Sequence, residues 1–136
     1  MKKILAIDFG ERRIGIAISD RKQTFAFPKL TIDTSKTPNF LQKIQALVKK
    51  ENIGKIVIGN PVKIDGKDSN KSKKIKAFSE KIKKMVDVPI QFWDESYTTE
   101  KAKNILHRSG KSFKENKYKL DQIAASLILE EYLENN

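Results

Sequence analysis

The sequence predicts an α/β fold with a mixed five-stranded sheet, in which three antiparallel strands precede two parallel ones and helices cover both faces. Three observations support this prediction. Residues 4–7 form a continuous apolar run, which is typical of a central strand buried on both faces. Isoleucines alternate with small residues over positions 14–19, which predicts a second strand. The apolar run at residues 56–58 and the mostly apolar segment at 90–93 each follow an amphipathic helical pattern, and intervening helices favour parallel strands.

The third strand and the first helix come next in the chain. A turn over residues 20–23 leads to a run that contains Phe25, Phe27, Leu30 and Ile32. Pro28 interrupts this run, and because proline cannot donate to a sheet ladder, the strand is predicted to lie at an edge. The first helix is predicted to start at Thr37-Pro38 and to be broken by Gly54.

The second half of the chain alternates basic segments with apolar ones. A polar, lysine-rich loop is predicted over residues 62–74, followed by a helix with the apolar stripe Ile75, Phe78, Ile82 and Met85. Pro89 opens the fifth strand, and Thr98 or Thr99 caps a helix that ends near Gly110. Another lysine-rich loop runs to about Lys119. The last helix, roughly residues 121–133, is apolar around much of its circumference and should be buried.

Length and composition limit the possible functions. The chain has 136 residues, so we expect residues 1–136 to form one domain. No apolar run approaches the ~20 residues that span a bilayer, so no membrane partner and a cytoplasmic location are expected. The sequence has no cysteine and one histidine, which argues against disulfides, zinc sites and serine–histidine triads. Any metal would therefore need oxygen ligands, which favours Mg²⁺ or Mn²⁺.

The formal net charge is +11, with a pI near 9.8. Nucleic acid is the commonest polyanionic partner of such a basic surface. Only four of the 28 basic residues are arginine, however, and abundant lysine can reflect an AT-rich genome. Charge alone therefore gives only modest support for a nucleic-acid partner.

Carboxylates follow the first and the fifth predicted strands, which the intervening helices suggest run parallel to each other. Asp8 ends the most buried strand, where a lone acid is costly unless it is paired or binds a metal. Asp94 and Glu95 end the fifth strand, and ligands of open α/β sheets collect at the carboxyl ends of strands. Asp121 shares a helical stripe with residues 125 and 128, which should press on the sheet. Carboxylates gathered there would repel one another unless a divalent cation neutralised them.

Other interpretations of the same residues remain open from spacing alone. Asp121 can be a helix N-terminal charge, and Asp94-Glu95 an ordinary polar strand end. The lysines of residues 63–84 form either a solvated face or a phosphate-contacting surface, and the acids nearby favour phosphate contact. For Trp93 we favour a place in the core over a role in stacking on nucleic-acid bases.

Several motifs together resemble one protein family. Residues 8–17, DFGERRIGIA, are similar to the opening motif of the YqgF family, also called RuvX, which comprises Holliday-junction-resolvase-like nucleases of the ribonuclease H-like superfamily. Further matches, in family order, are residues 56–61, 65–66, 93–95 with 98–99, and Asp121 with residues 124, 125 and 129. A strand end with Asp-Phe-Gly also occurs in sugar-kinase and actin-like ATPases, so only the ordered set is specific.

The resemblance implies a ribonuclease H-like fold and a set of site residues. It implies catalytic, metal-binding carboxylates at Asp8, Glu95 and Asp121, with Asp94 as a helper. It also implies that Gly10 and Arg13 bind substrate, and we assign substrate binding to Lys63, Lys67 and Thr98 as well. The sequence departs from the family pattern twice, because Ser96 replaces an arginine and Asn60 replaces an apolar residue.

The expected reaction is two-metal phosphodiester hydrolysis, with two Mg²⁺ or Mn²⁺ ions roughly 3.5–4 Å apart and Asp8 as their bridge. The resemblance points to the 5′ end of pre-16S rRNA, hence to structured RNA first and branched DNA second. A junction resolvase normally cuts as a dimer, and no dimer surface is evident, so we expect a monomer or weak homodimer. A non-catalytic nucleic-acid-binding factor is the alternative from another class. An ATP-handling relative would need two domains, which 136 residues cannot supply.

Overall fold

A computed structural model of the protein describes residues 2–61, 70–95 and 117–135, and at positions 61, 95 and 117 it describes the backbone alone. The strands within these ranges are β1 (Lys3–Phe9), β2 (Arg13–Ser19), β3 (Ala26–Asp33), β4 (Ile53–Pro61) and β5 (Ile90–Glu95). The helices within them are α1 (Phe40–Lys50), α2 (Asn70–Lys83) and α3 (Lys117–Glu134). The predicted helix between residues 98 and 110 lies outside the described residues.

All five strands belong to one sheet with the order β3-β2-β1-β4-β5. β1 pairs antiparallel with β2 and parallel with β4, while β2–β3 is antiparallel and β4–β5 is parallel. The predicted mixed sheet is therefore confirmed. Residues 4–7 of β1 are all buried, as expected for the central strand.

Two apolar layers cover the two faces of the sheet. On one face, alternate residues such as Leu5 and Ile7 pack with α1 and α2. On the other face, Ile4 and Ala6 pack with α3 through a second cluster. Because side chains alternate along a strand, each position of β1 belongs to one of these two layers. Helices on both faces were predicted, and the structure confirms them.

Strand β3 forms one edge of the sheet, as Pro28 predicted. Leu30 pairs with Ile16 while Pro28 pairs with Ala17, so Lys29 is an extra residue in β3. This bulge accommodates the proline without breaking the strand.

The structure corrects the predicted bounds of the helices. Helix α1 begins at Phe40 rather than at Thr37-Pro38. Its end is set by Asn52, whose φ is 54°, and not by Gly54, which lies within β4. Asparagine tolerates the left-handed conformation better than most residues, so it can reverse the chain there.

The two later helices begin earlier than predicted and absorb lysines assigned to loops. Helix α2 starts at Asn70, inside the predicted 62–74 loop, and ends before Met85. Helix α3 starts at Lys117 rather than near Asp121. Tertiary contacts explain the longer α3, because Tyr118 in its first turn accepts a hydrogen bond from Thr31 and donates one to Asp33. In the described part of the chain, no helix is both long and apolar enough to cross a bilayer.

Candidate active site

A cleft of about 270 Å³ opens where β1 ends. Its walls come from the end of β1, the loop to β2, the first turn of α2 and the second turn of α3. The lining residues are Asp8, Phe9, Gly10, Glu11, Arg12, Arg13, Lys71 and Asp121. The structure thus brings two of the three predicted carboxylates, Asp8 and Asp121, to one cavity at the carboxyl end of the central strand.

Strand alternation accounts for the placement of Asp8. The residue has the same parity along β1 as Ile4 and Ala6, which pack with α3, so it lies on the α3 face of the sheet. It is the first residue of β1 that is not fully buried after four buried ones, and Gly15 of β2 lies directly opposite it.

Gly15 allows α3 to approach the sheet. A Cβ atom at this position would lie 2.0 Å from the carbonyl oxygen of Asp121 and 2.4 Å from its carbonyl carbon. No side chain fits into that space, so only glycine permits the contact. Because Gly15 pairs with Asp8, the same contact places the backbone of Asp121 beside the strand that carries Asp8. The sequence pattern predicts Gly15 only as a small strand residue and does not reveal that it lets α3 approach the sheet beside Asp8.

The Asp121 carboxylate is paired with Arg13, whose Nε donates to Oδ2 at 2.8 Å. Burial raises the pKa of the Asp121 carboxyl group above its ordinary value, and the hydrogen bond and positive charge of Arg13 oppose that shift. Since α3 begins four residues earlier, Asp121 is not a first-turn charge. The interpretation of Asp121 as a charge at the helix N-terminus is therefore wrong.

Gly10 and Thr34 shape the loop between β1 and β2. A Cβ atom at Gly10 would lie 2.6 Å from the carbonyl oxygen of Arg13, so glycine is needed to close this turn. Thr34 ties the loop to the end of β3, because its N–H donates to the Arg12 carbonyl at 2.7 Å and its hydroxyl to the Glu11 carbonyl at 2.6 Å. The loop that lines the cleft is thus held from both sides.

Asp33, at the end of β3, organises a hydrogen-bond network that the sequence analysis missed. This carboxylate is only 6% exposed and accepts bonds from the Ser35 hydroxyl at 2.5 Å and the Tyr118 hydroxyl at 2.9 Å. These bonds, the Ser35 one foremost, lower the pKa of Asp33 to about 2. Because Tyr118 lies in the first turn of α3, the network fixes the start of the helix that carries Asp121.

Tyr118→Phe is expected to lower the Tm by about 3–5 °C at pH 7, because it removes one hydrogen bond to a buried carboxylate. The folded-state pKa of Asp33 is depressed from 3.8 to about 2, so the stability that its charged form contributes is present above about pH 4. That contribution disappears as the pH falls through 2. Thermal melts between pH 7 and pH 2 should therefore show that the Tm difference between Tyr118→Phe and the wild type becomes smaller below pH 4.

Tyr132→Phe is the matched control, because this tyrosine also lies in α3 but its hydroxyl accepts a bond from Lys55 at 2.6 Å. The Tm difference between Tyr132→Phe and the wild type should not become smaller between pH 4 and pH 2. A Tyr118→Phe difference that stays constant down to pH 2 would contradict the role given to Asp33.

Asn60, where the family pattern has an apolar residue, has a local explanation. The hydroxyl of the buried Ser72 in α2 donates to Asn60 Oδ1 at 3.0 Å. This bond joins the end of β4 to the first turn of α2. It therefore holds Lys71, the neighbour of Ser72, at the wall of the cleft.

The remaining predicted site residues are described in part or not at all. Position 95 ends β5 and pairs with position 61, but the Glu95 side chain is outside the described part of the chain. Lys63, Lys67, Thr98 and Ser96 also lie outside the described residues. Among the side chains that are described, no three His, Cys, Asp or Glu residues come together as a metal site.

Trp93 belongs to the core, as predicted. Its ring packs edge-on against Tyr132 of α3, with ring centroids 5.6 Å apart, and the side chain contacts the apolar cluster under α3. The stacking platform considered for this residue is therefore not supported.

Comparison with known sequences identifies a family. A family profile described as "RuvX: Holliday junction resolvase" matches residues 2–135. A protein of Maridesulfovibrio salexigens named "Putative pre-16S rRNA nuclease" is 35% identical over 131 residues, covering 96% of this chain and 97% of that protein. A protein of Orientia tsutsugamushi with the same name is 39% identical over 129 residues, covering 95% of this chain and 82% of that protein.

Comparison with solved structures shows a resolvase-like ribonuclease H fold. RuvC of T. thermophilus in complex with a Holliday junction superposes with a TM-score of 0.59 at 9% identity, covering 94% of this chain and 92% of that one. The fowlpox virus resolvase in its junction complex has a TM-score of 0.58 at 18% identity, with 98% and 97% coverage. At these identities the likeness establishes the fold, and it confirms the ribonuclease H-like architecture that the sequence predicts.

Proposed function

The chain belongs to the RuvX family, and from this premise we propose that it is a metal-dependent nuclease that processes the 5′ end of pre-16S rRNA during ribosome biogenesis in the cytoplasm. The observation that carries the proposal is the shared cleft of Asp8 and Asp121 at the carboxyl end of β1. Relatives named for pre-16S rRNA, matched over 97% and 88% of their own length, support the choice of substrate.

The donor atoms of the cleft fit Mg²⁺ or Mn²⁺. Two carboxylates line one small cavity, and hard divalent cations prefer oxygen ligands of this kind. Burial already disfavours the charged form of Asp121, so a cation would relieve a cost that Arg13 only partly offsets. Asp8, Glu95 and Asp121 would hold the metal. Bound divalent cations supply Lewis-acid stabilisation of the charge that develops on a phosphate during hydrolysis.

Strand register supports Glu95 over Asp94 as the third acid. Trp93 packs with the layer under α3, which is the layer that also contains Ala6 and, by parity, Asp8. Position 95 has the same parity along β5 as Trp93, whereas Asp94 has the opposite parity. The register therefore supports Glu95 as the third ligand, since by parity Asp94 would lie on the opposite side of β5.

Arg13 is suited to bind the scissile phosphate, and Lys71, on the α2 wall of the same cleft, is suited to bind a phosphate next to it. Both line the same cleft as the two acids, and Arg12 is the third cation among its lining residues. A guanidinium carries five N–H donors, and the bond from Arg13 Nε to Asp121 uses one of them. Arg13 can therefore orient Asp121 and donate to a phosphate at the same time.

The test is a side-by-side incubation with a fragment spanning the 5′ end of pre-16S rRNA and with a synthetic four-way DNA junction. Each substrate is incubated with Mn²⁺, with Mg²⁺ and with EDTA. We expect cleavage of the RNA with either metal and no cleavage in EDTA. Full activity in EDTA would overturn the metal dependence.

A Holliday junction resolvase is the second candidate, because the family itself is described by that activity. Cleavage of the junction and not of the RNA would establish it. Tight binding of both without any cleavage would instead indicate a non-catalytic nucleic-acid-binding factor.

A further inference from the structure

Three exposed lysines follow one edge of α2 next to the cleft. Lys71, Lys74 and Lys81 are spaced by three and seven residues, so they lie on the same side of the helix. We refer to them as the lysine stripe. With a rise of ~1.5 Å per residue, the stripe extends about 15 Å along the helix axis.

A second cleft connects the stripe to the candidate active site. It has a volume of about 240 Å³ and is lined by Phe9, Gly10, Glu11, Asn70, Lys71 and Lys74. Four of these residues, Phe9, Gly10, Glu11 and Lys71, also line the cleft that contains Asp8 and Asp121. The two cavities therefore form one continuous path from the acids, past the Gly10 loop, to the stripe.

The position of the stripe is fixed by packing on both sides of α2. The Phe9 and Phe78 rings lie 4.6 Å apart, which joins the end of β1 to the middle of α2. The bond from Ser72 to Asn60 joins the first turn of α2 to the end of β4. Because these contacts order the helix in the free protein, a ligand would not have to order it on binding.

Lysines dominate the charge along α2, and two acids lie among or beside them. Between residues 70 and 84, Glu80 is the only acid among seven lysines. Beside the path, Glu11 accepts a bond from Lys74 Nζ at 2.5 Å, and the two side chains are 70% and 52% exposed. An ion pair this exposed contributes little to folding, yet it occupies one cation of the stripe.

We propose that the lysine stripe binds the sugar-phosphate backbone of the nucleic acid to one side of the scissile phosphate, and that Glu11 limits this affinity by holding Lys74. The partner is nucleic acid because a row of cations on one side of a helix, leading from a two-carboxylate cleft, complements a run of phosphates along one strand. One strand of a duplex places a phosphate every ~3.4 Å along its axis, so 15 Å accommodates about four of them. The position of the cut relative to the stripe rests on the proposed nuclease function.

The experiment measures binding in EDTA, where cleavage does not interfere. Fluorescein-labelled pre-16S rRNA leader and a labelled four-way junction are titrated by anisotropy from 50 to 300 mM KCl. The test variant combines Lys71→Ala, Lys74→Ala and Lys81→Ala. The matched control combines Lys73→Ala, Lys76→Ala and Lys83→Ala, which removes the same charge from the same helix with the same spacing but lines neither cleft.

We expect the stripe variant to lose at least tenfold in affinity and to lower the slope of log K against log salt by about two, since each phosphate contact contributes ~0.7–0.9. The control should change the slope by less than half as much. Glu11→Gln should bind about two- to fivefold more tightly at 50 mM KCl.

Equal losses in the two triple variants, or a wild-type slope in the stripe variant, would overturn the proposal. A Glu11→Gln variant that binds no more tightly than the wild type would overturn the role of Glu11. Melting curves confirm that each variant is folded. The result is independent of the nuclease assay. A protein that never cleaves can still lose more affinity for nucleic acid in the stripe variant than in the control variant.

Discussion

Asp8→Asn is expected to lower the rate of metal-dependent cleavage by about 10³-fold or more while leaving the fold intact. Asp8 is half-buried on the α3 face of the central strand and lines the cleft with Asp121. Replacing a carboxylate by an amide keeps the shape but removes a charged ligand whose contribution is several kcal/mol, and each 1.36 kcal/mol corresponds to a factor of ten.

Single-turnover cleavage of the rRNA fragment, together with calorimetric titration of Mn²⁺, measures this effect. Asp87→Asn is the matched control, because Asp87 is exposed in the connection between α2 and β5 and lines neither of the two clefts at the β1 end. The control should cleave at the wild-type rate and bind Mn²⁺ normally. If Asp8→Asn retained a tenth of the wild-type rate, the assignment of Asp8 would be wrong.

Gly15→Ala is expected to lower the free energy of unfolding by about 3 kcal/mol and to weaken Mn²⁺ binding as well. The added Cβ would lie 2.0 Å from a backbone oxygen of α3, and backbone cannot move aside as a side-chain tip can. Overpacking of this kind costs typically ~1–3 kcal/mol and sometimes more. The helix must shift, and Asp121 would shift with it away from Asp8.

Urea unfolding measures the loss of stability, and calorimetry measures the loss of metal affinity. Gly54→Ala is the comparison, because the three atoms nearest to the Cβ added there all belong to the side chain of the exposed Lys2, near the start of the chain, and the first of them is 2.7 Å away. Gly54→Ala should lower the free energy of unfolding clearly less than Gly15→Ala does, and it should leave Mn²⁺ binding unchanged. A Gly15→Ala protein as stable as the wild type would show that α3 does not depend on this contact.

Features that depend on local pattern could be predicted from the sequence. The apolar run of residues 4–7 predicted the central strand, Pro28 predicted the edge, and Asp8 stood out because it ends a buried strand. These predictions succeed because burial and hydrogen-bonding capacity are properties of the residue itself and its immediate neighbours.

Features that depend on distant partners could not be predicted. The Arg13–Asp121 pair joins residues 108 positions apart, and the Asp33–Tyr118 bond joins residues 85 apart. The early start of α3 follows from the second of these contacts and not from helix propensity. The choice between Asp94 and Glu95 likewise depends on the register of β5 against β4, which periodicity alone left open.

The bulge in β3 has a consequence for how copies of this protein behave at high concentration. An edge strand offers unpaired backbone groups to any other chain. At the β3 edge, Phe25 and Phe27 add apolar surface, because their side chains are 63% and 54% exposed. The extra residue at Lys29 distorts the edge, and Pro28 removes one N–H donor from it. A second strand could not extend an unbroken ladder along β3, so these two adjacent residues protect this edge of the sheet against polymerisation and aggregation.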